Sequence, residues 1–355
     1  MSKIRFGIVG TGWRALFYFR IAKALPHMFE VCGAVTRKPE RIEYLAREWG
    51  IKGFNSVDGL LAEKPSFVVT SVPWAVNPDL LRELAKKGCP ALSETPPAPD
   101  ETSLVALYKD LKELKGRVQV AEEYHRRPNH VAQMAVGASG KLGRITHAQV
   151  SVGHGYHGIS LMRRFLGMGS EPPRIWSRAL KTSIVEGGGR DKPPEKELIR
   201  ESVQEIYLFD WGERTGLMDF TGDQYSFLIR GERVLLRGER GELSNNSYVF
   251  LKDPRTPIKR DLVRHYSSKL ASVSLRGIQS GDEWIYENPY HEASLTDDEV
   301  AIADCLVRMD EFARTGKQFY PVEEGMQDHY LYLVAQKAAT QDGSIEAVRQ
   351  PWGWE

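Results

Sequence analysis

The period of the hydrophobic pattern switches repeatedly over the first third of the chain. KIRFGIVG (3–10) is a short apolar run ending in glycine, as a buried strand does. WRALFYFRIAKAL (13–25) then carries apolar residues at helical spacing. FEVCGAVTR (29–37) reads as a second strand. PERIEYLAREWG (39–50) reads as a second helix, its last glycine suited to a C-cap. PSFVVTSVP (65–73) is continuously apolar, the mark of a parallel strand covered on both faces. A helix over NPDLLRELAKKG (77–88), a strand at PALSET (90–95), a capped helix over DETSLVALYKDLKELKG (100–116) and a strand at RVQVAEEY (117–124) complete the series. The alternation predicts a doubly wound parallel sheet over residues 1–123.

From residue 124 the texture changes. A helix over PNHVAQMAVGAS (128–139) precedes strand-like runs RITHAQVSV (144–152), VQEIYLFDW (203–211), RTGLMDFTG (214–222), YSFLIRG (225–231) and ERVLLRG (232–238). Glycine-containing turns between them predict an open, mostly antiparallel sheet. GGGRDKPPEKE (187–197) and KDPRTPIKRD (252–261) read as surface loops, and helices return over 296–314 and 323–340. The expected architecture is α/β: an N-terminal doubly wound domain, then an α+β domain over 124–355 whose last helices pack back on the first.

Composition narrows the partners. The 355 residues, 41% hydrophobic, are too many for one core and fit two domains. With 48 basic and 47 acidic residues the formal charge is +1, so no global field favours nucleic acid or an anionic membrane, and a small molecule is the expected partner. Cys32, Cys89 and Cys305 are odd in number and widely spaced, which fits buried thiols in a reducing cytoplasm. Neither the glycine-broken N-terminus nor FVVTSVPWAV (67–76) has the length of a membrane span.

Chemistry enters at GIVGTGWRA. Gly10-Thr11-Gly12-Trp13-Arg14-Ala15 matches G-x-G-x-x-G/A at the first turn between strand and helix. There Gly10 permits the tight turn, Gly12 lets a pyrophosphate approach the backbone, and Ala15 allows close packing. Trp13 and Arg14 are placed to cover a pyrophosphate or nicotinamide, or else to pack beside the turn. The second strand ends in Thr36, Arg37 and Lys38 where NAD sites usually carry an acid for the ribose diol. Cations there pair with a 2′-phosphate, so NADP is expected over NAD.

At this point the chain resembles the glucose–fructose oxidoreductase / inositol dehydrogenase (Gfo/Idh/MocA) family, through GIVGTGWRA, VTSVPWAVNPDLLRELAKKG, LSETPPAPD, GKLGRITHAQVSV and GYHGISLMRRFLG. The resemblance implies a Rossmann domain for the nicotinamide cofactor and a second domain for a sugar or cyclitol, often joining subunits through its sheet. It adds Ser71, Pro73, Asn77, Glu94 and Thr95 as expected cofactor contacts. It also exposes departures. The family's Glu-Lys-Pro reads Glu94-Thr95-Pro96, Asn77 stands where a histidine is common, and Gly153 replaces the aspartate four residues before His157.

GHGYHG (153–158) therefore holds the surviving candidate. His157 is expected to open a helix, whose positive dipole end favours a neutral, proton-accepting imidazole. His154 and Tyr156 are its nearest polar companions, and His154 is a candidate to replace the lost aspartate. Two histidines without a further ligand make a poor zinc set, so no metal is expected. Glu122, Tyr124 and His125 are secondary candidates beside the first domain. The implied activity is NAD(P)-dependent oxidation or reduction at a hydroxyl or keto group of a sugar-like substrate, by a cytoplasmic homo-oligomer. A non-redox enzyme holding the same cofactor, and a non-catalytic sensor, are the alternatives that the missing lysine and aspartate leave open.

Overall fold

A computed structural model of the chain describes residues 3–353, apart from 188–193, 226, 270–271 and 342. The chain divides into two compact units. The first comprises 1–128, 265–276 and 288–326; the second comprises 129–264, 277–287 and 327–355.

In the first unit, β1 (Ile4–Val9), α1 (Ala15–Ala24), β2 (Phe29–Val35), α2 (Pro39–Tyr44), β3 (Gly53–Phe54), α3 (Val57–Leu61), β4 (Phe67–Thr70), α4 (Asn77–Lys86), β5 (Ala91–Ser93), α5 (Glu101–Glu113) and β6 (Val118–Val120) follow one another. The six strands pair in parallel in the order β3-β2-β1-β4-β5-β6. The order reverses between β1 and β4, the switch point at which such sheets open a crevice. Burial drives this arrangement: β4 is wholly buried, and Phe6 stacks on Phe67 with ring centroids 5.7 Å apart. α2 runs on through a π-helical turn, Leu45–Trp49, and stops at Gly50 in the left-handed conformation. Asp100 caps α5 by accepting from the Ser103 amide at 2.8 Å.

In chain order there follow α6 (Pro128–Ala138), β7 (Ile145–Ser151), α7 (Gly155–Leu166), β8 (Arg174–Val185), β9 (Ile199–Asp210), β10 (Thr215–Thr221), β11 (Arg233–Gly238), β12 (Gly241–Ser244), β13 (Ser247–Asp253) and β14 (Thr256–Asp261). Then come β15 (Val263–Lys269), β16 (Ser272–Ser280), β17 (Glu283–Glu287), α8 (Asp297–Thr315), α9 (Val322–Ala339) and β18 (Ser344–Glu346). A nine-stranded sheet runs β14-β13-β12-β11-β7-β10-β9-β8-β18, antiparallel except for β7 with β10. α7 packs on β7 and β10. β15, β16 and β17 form a separate three-stranded sheet. Within the first unit, α8 starts in a capping box of Thr296 and Glu299, and Glu299 also pairs with Arg20 of α1 at 2.6 Å.

Three expectations need correction. YSFLIRG is not a strand: Gly222–Tyr225 forms a 3₁₀ turn, and the Phe227 amide bonds back to Asp223 O at 2.9 Å. Local turn bonds win there because Asp223 and Gln224 are drawn inward. KDPRTPIKRD is not a loop but the tip and second strand of the β13–β14 hairpin, where Asp253 accepts from the Arg255 amide at 2.9 Å. α7 begins two residues before His157, at Gly155. The expected loop at 187–197 lies partly outside the described residues. The 12-residue β8, mostly exposed along its length, shows no alternating burial for a sequence pattern to reveal.

Gly10 shows why the first turn needs glycine. Its φ is +109°, and a β-carbon there would lie 1.9 Å from the Ser71 carbonyl oxygen. Gly10→Ala should therefore destabilise the protein by about 1–3 kcal/mol, whereas Gly12→Ala, with nothing within 4 Å of the added carbon, should change stability by less than about 0.5 kcal/mol. Urea unfolding of both variants checks the contrast. Equal losses would refute it.

Candidate functional site

The carboxyl ends of β1, β2 and β4 border a cleft of about 790 Å³ in the first unit. Gly10, Thr11, Gly12, Trp13 and Arg14 line it from the first turn, Thr36, Arg37 and Lys38 from the end of β2, Ser71 and Pro73 after β4, and Glu94 and Thr95 after β5. Of the cofactor positions expected from sequence, Asn77 is the exception. It is buried with its amide spent on the protein: Oδ1 accepts from the Thr70 hydroxyl at 2.6 Å, and Nδ2 donates to Ser93 Oγ at 2.9 Å and Pro97 O at 3.1 Å. Asn77 thus laces the ends of β4 and β5 to the start of α4.

The cleft fits a dinucleotide by three tests. Nothing lies within 4 Å of a β-carbon built on Gly12, so the space left by its missing side chain is open to a ligand rather than filled by the protein. Among the described residues, the Thr11 and Gly12 amides make no backbone hydrogen bond, and they stand at the N-terminal end of α1, where an anion is favoured. Thr36, at the end of β2, is held by contacts to Thr11 Oγ1 and from the Lys38 amide, both at 3.4 Å. Arg37 and Lys38 beside it are exposed and form no ion pair among the described residues. Arg41 joins them on the wall, its guanidinium over the Tyr44 ring at 5.1 Å. Trp13 and Trp74, both exposed by more than two-fifths, flank the cleft, and Trp13 packs edge-on against Phe17.

Arg14 does something else. Its Nε donates to Glu94 at 3.0 Å and its Nη2 to Glu123 at 2.5 Å, while the Tyr18 hydroxyl donates to Glu94 at 2.5 Å. Burial opposes the charge on Arg14, but the Glu123 and Glu94 carboxylates outweigh it and raise its pKa. Burial, then the neighbouring Glu94 charge, pushes the Tyr18 phenol well above its usual value. This network places a committed cation on Glu94, next to Thr95, where the resemblance has a lysine. Sequence reasoning missed Tyr18 and Glu123 because no motif marks them; they lie 76 and 109 residues from their partners. Glu122, Tyr124 and His125 are buried and do not line the cleft. Burial and then the Glu123 charge hold the Glu122 carboxyl far above the carboxylate range.

The second unit gathers the histidines. His154 is the N-cap of α7, Tyr156 and His157 lie in its first turn, and both of the latter are buried. Gly155 is required here: its φ is +43°, and an added β-carbon would lie 2.7 Å from the Tyr332 ring. The His154 and His157 rings meet edge to face at 5.0 Å, and the Tyr156 and His157 rings at 4.5 Å. The His154 ring bonds the Tyr225 hydroxyl through Nδ1 at 2.6 Å and the Tyr156 hydroxyl through Nε2 at 3.2 Å. Tyr225 comes from the turn mistaken for a strand, so its part here was not legible.

Residues 4–122 match the model of an oxidoreductase family with an NAD-binding Rossmann fold. An uncharacterized oxidoreductase of Schizosaccharomyces pombe is 33% identical over 103 residues, a match that spans 28% of each chain. Among solved structures, an Agrobacterium radiobacter oxidoreductase in complex with NAD+, L-tartaric acid and magnesium superposes with a TM-score of 0.67 at 14% identity, covering 97% of this chain and 98% of that one. Apo scyllo-inositol dehydrogenase of Lactobacillus casei gives 0.66 at 15%, covering 97% and 98%. The WlbA dehydrogenase of Bordetella pertussis, in complex with NADH and UDP-GlcNAcA, gives 0.63 at 17%, covering 98% and 99%. At these identities the superpositions speak for a shared fold over nearly the whole chain. The glycine turn, the strand order and the family match converge on residues 4–122, which resemble the NAD-binding Rossmann fold of the Gfo/Idh/MocA oxidoreductases.

Proposed function

We propose that the protein is an NAD(P)-dependent oxidoreductase acting on a hydroxyl or keto group of a sugar or related polyol. The observation that carries this reading is the open cradle at Gly12 in a cleft lined by the first-turn residues. A bound nicotinamide would supply the hydride acceptor or donor. The chain's own part is to hold the pyrophosphate at Thr11 and Gly12, and the adenosine end near Thr36. Arg37 and Lys38, joined by Arg41, favour a 2′-phosphate, so NADP is the preferred form and NAD the weaker one.

The substrate's proton is handled in the first turn of α7, with His157 as acid–base group and Tyr156 and His154 beside it. Support comes from their clustering and from the substrates named for proteins of the same fold: scyllo-inositol dehydrogenase and a dehydrogenase with bound UDP-GlcNAcA. Thr95 favours a second reading, a non-redox enzyme or sensor holding the same cofactor, because a neutral hydroxyl there is a poor proton donor near neutral pH. Self-association through the wide sheet is supported by its apolar face: Trp176, Leu180, Ile206, Leu208 and Leu217 point the same way in register, and Trp176, Leu180 and Leu208 are exposed.

Tryptophan fluorescence should report cofactor binding, since Trp13 and Trp74 flank the cleft. Gly12→Val should weaken dinucleotide affinity by at least about tenfold, roughly 1.4 kcal/mol; unchanged affinity sinks the placement. NADP should bind more tightly than NAD, and Arg37→Asp should flatten or reverse that order. Equal affinities in the parent protein would overturn the preference. With a substrate found by screening sugars and keto-sugars for absorbance of reduced nicotinamide, His157→Ala should cut turnover roughly a hundredfold or more and leave dinucleotide affinity alone. Full turnover in that variant removes His157 from the chemistry. Tight cofactor binding without turnover on any screened substrate would favour the second reading.

A further inference from the structure

Glu205 stands in the middle of β9, between β8 and β10. Side chains alternate across a strand, so Glu205 shares a face with Tyr207 and not with Ile206 or Leu208. That face is the one α9 covers: the Tyr207 ring meets the Tyr332 ring with centroids 6.2 Å apart. Across the ladder Glu205 lies opposite Phe220 of β10 and Ala179 of β8. Phe220 in turn meets Tyr225 edge to face at 5.3 Å. Tyr207 and Phe220 are buried, Glu205 and Tyr332 are partly exposed, and Tyr225 is half exposed. The carboxylate thus sits at the solvent-facing rim of an aromatic group.

Its charge is not matched. Among the described residues Glu205 forms no ion pair, and the cations of the neighbouring strand positions are committed elsewhere. Lys181, two residues along β8 from Ala179, pairs with Glu201 at 3.0 Å, and Arg200 pairs with Asp223. Phenols feel the charge instead. Burial and then Glu205 raise the Tyr207 hydroxyl far above its usual pKa, and the same two causes push Tyr332 up to about 12. Neutral phenols donate hydrogen bonds but supply no positive charge. The group also adjoins the start of α7. The Tyr332 ring lies 2.7 Å from a β-carbon built on Gly155 and meets the Tyr156 ring at 6.3 Å, while Tyr225 bonds His154 at 2.6 Å. One ring, Tyr332, therefore separates Glu205 from the first turn of α7.

We infer that Glu205, with the rings of Tyr332 and Tyr225 beside it, binds an ammonium group of the substrate, so that the polyol is an amino sugar or an aminocyclitol. This deepens the oxidoreductase reading above and rests on it for the reacting end of the molecule. The chemistry is that of cation recognition. The negative faces of aromatic rings attract a cation, and the carboxylate adds a full opposite charge and a charge-assisted hydrogen bond. A neutral hydroxyl gains only a hydrogen bond with one charged partner, which is weaker. A sugar acid would bring its carboxylate against Glu205 with like charge. The ammonium is held and not altered: no bond to its nitrogen forms or breaks. Glu205 is thus a specificity residue, and proton transfer stays with the first turn of α7.

Binding and turnover test the two readings separately. The free protein is titrated calorimetrically with D-glucosamine, N-acetyl-D-glucosamine, D-glucose and D-glucuronate, in slightly acidic buffer where the amine is protonated. Glucosamine should bind at least about tenfold more tightly than its N-acetyl form or glucose, and glucuronate should bind most weakly. Glu205→Gln keeps the shape and removes the charge, and in it glucosamine and glucose should bind alike. Equal affinities in the parent, tighter binding of glucuronate, no binding of glucosamine, or a preference that survives Glu205→Gln each refutes the subsite. Amino sugars and their neutral counterparts are then compared for dinucleotide-dependent turnover. A higher kcat/KM on a neutral sugar than on its amino counterpart also refutes the subsite, and leaves the oxidoreductase reading intact. A glucosamine preference that depends on Glu205, without turnover of any amino sugar, upholds the subsite and counts against the oxidoreductase reading instead.

Discussion

The close approach of the Gly10 backbone to the Ser71 carbonyl is the contact on which the first unit depends. β1 lies between β2 and β4, and the chain must leave it sharply to start α1 without striking the segment that leaves β4. A side chain at position 10 would force those two exits apart. With glycine there, the exits stay together, the sheet reverses its strand order at that seam, and the cleft opens over it. Gly12, two residues on, answers to no such demand from the protein. The fold therefore requires only one of the two glycines of this motif, Gly10.

The cleft then sorts its charges. Among the described residues, Arg37, Lys38 and Arg41 stand on one wall without carboxylate partners, while Arg14 is locked between Glu94 and Glu123. An exposed cation without an ion pair keeps its hydration and stays open to an anion. A part-buried cation bonded to two carboxylates serves shape, because removing either side leaves an uncompensated charge. Equal formal charges on neighbouring residues of the same cleft thus have different uses.

Legibility followed the range of the interactions. The βαβ alternation, the glycine turn and the end of β2 are local signals, and the sequence displays them at fixed spacing. Five of the six parallel strands could be read for that reason; the two-residue β3 (Gly53–Phe54) carries too little pattern to be seen. Asn77 looked like a ligand contact because it sits among motif residues that line the cleft; only the fold shows its amide consumed by Thr70, Ser93 and Pro97. YSFLIRG has the apolar composition of a strand, yet Asp223 and Gln224 just ahead of it bind Ser202, Thr221 and Ser151 across the sheet and bend it into a turn. Tyr225 was hidden by that misreading. Its bond to His154 spans 71 residues, and nothing in GHGYHG points to it. β8 was hidden for the opposite reason, since an exposed strand alternates little.

The bond between Arg14 and Glu94 bears on what position 95 can accept. Thr95 looks like a single lost lysine that one substitution would restore. Its neighbour Glu94 is already neutralised by a guanidinium that is itself bridged to Glu123. A lysine at position 95 would arrive beside a carboxylate already bonded to Arg14 and near a second fixed positive charge. A change at position 95 is therefore felt by Arg14, Glu94 and Glu123 together, because one guanidinium bonds both carboxylates.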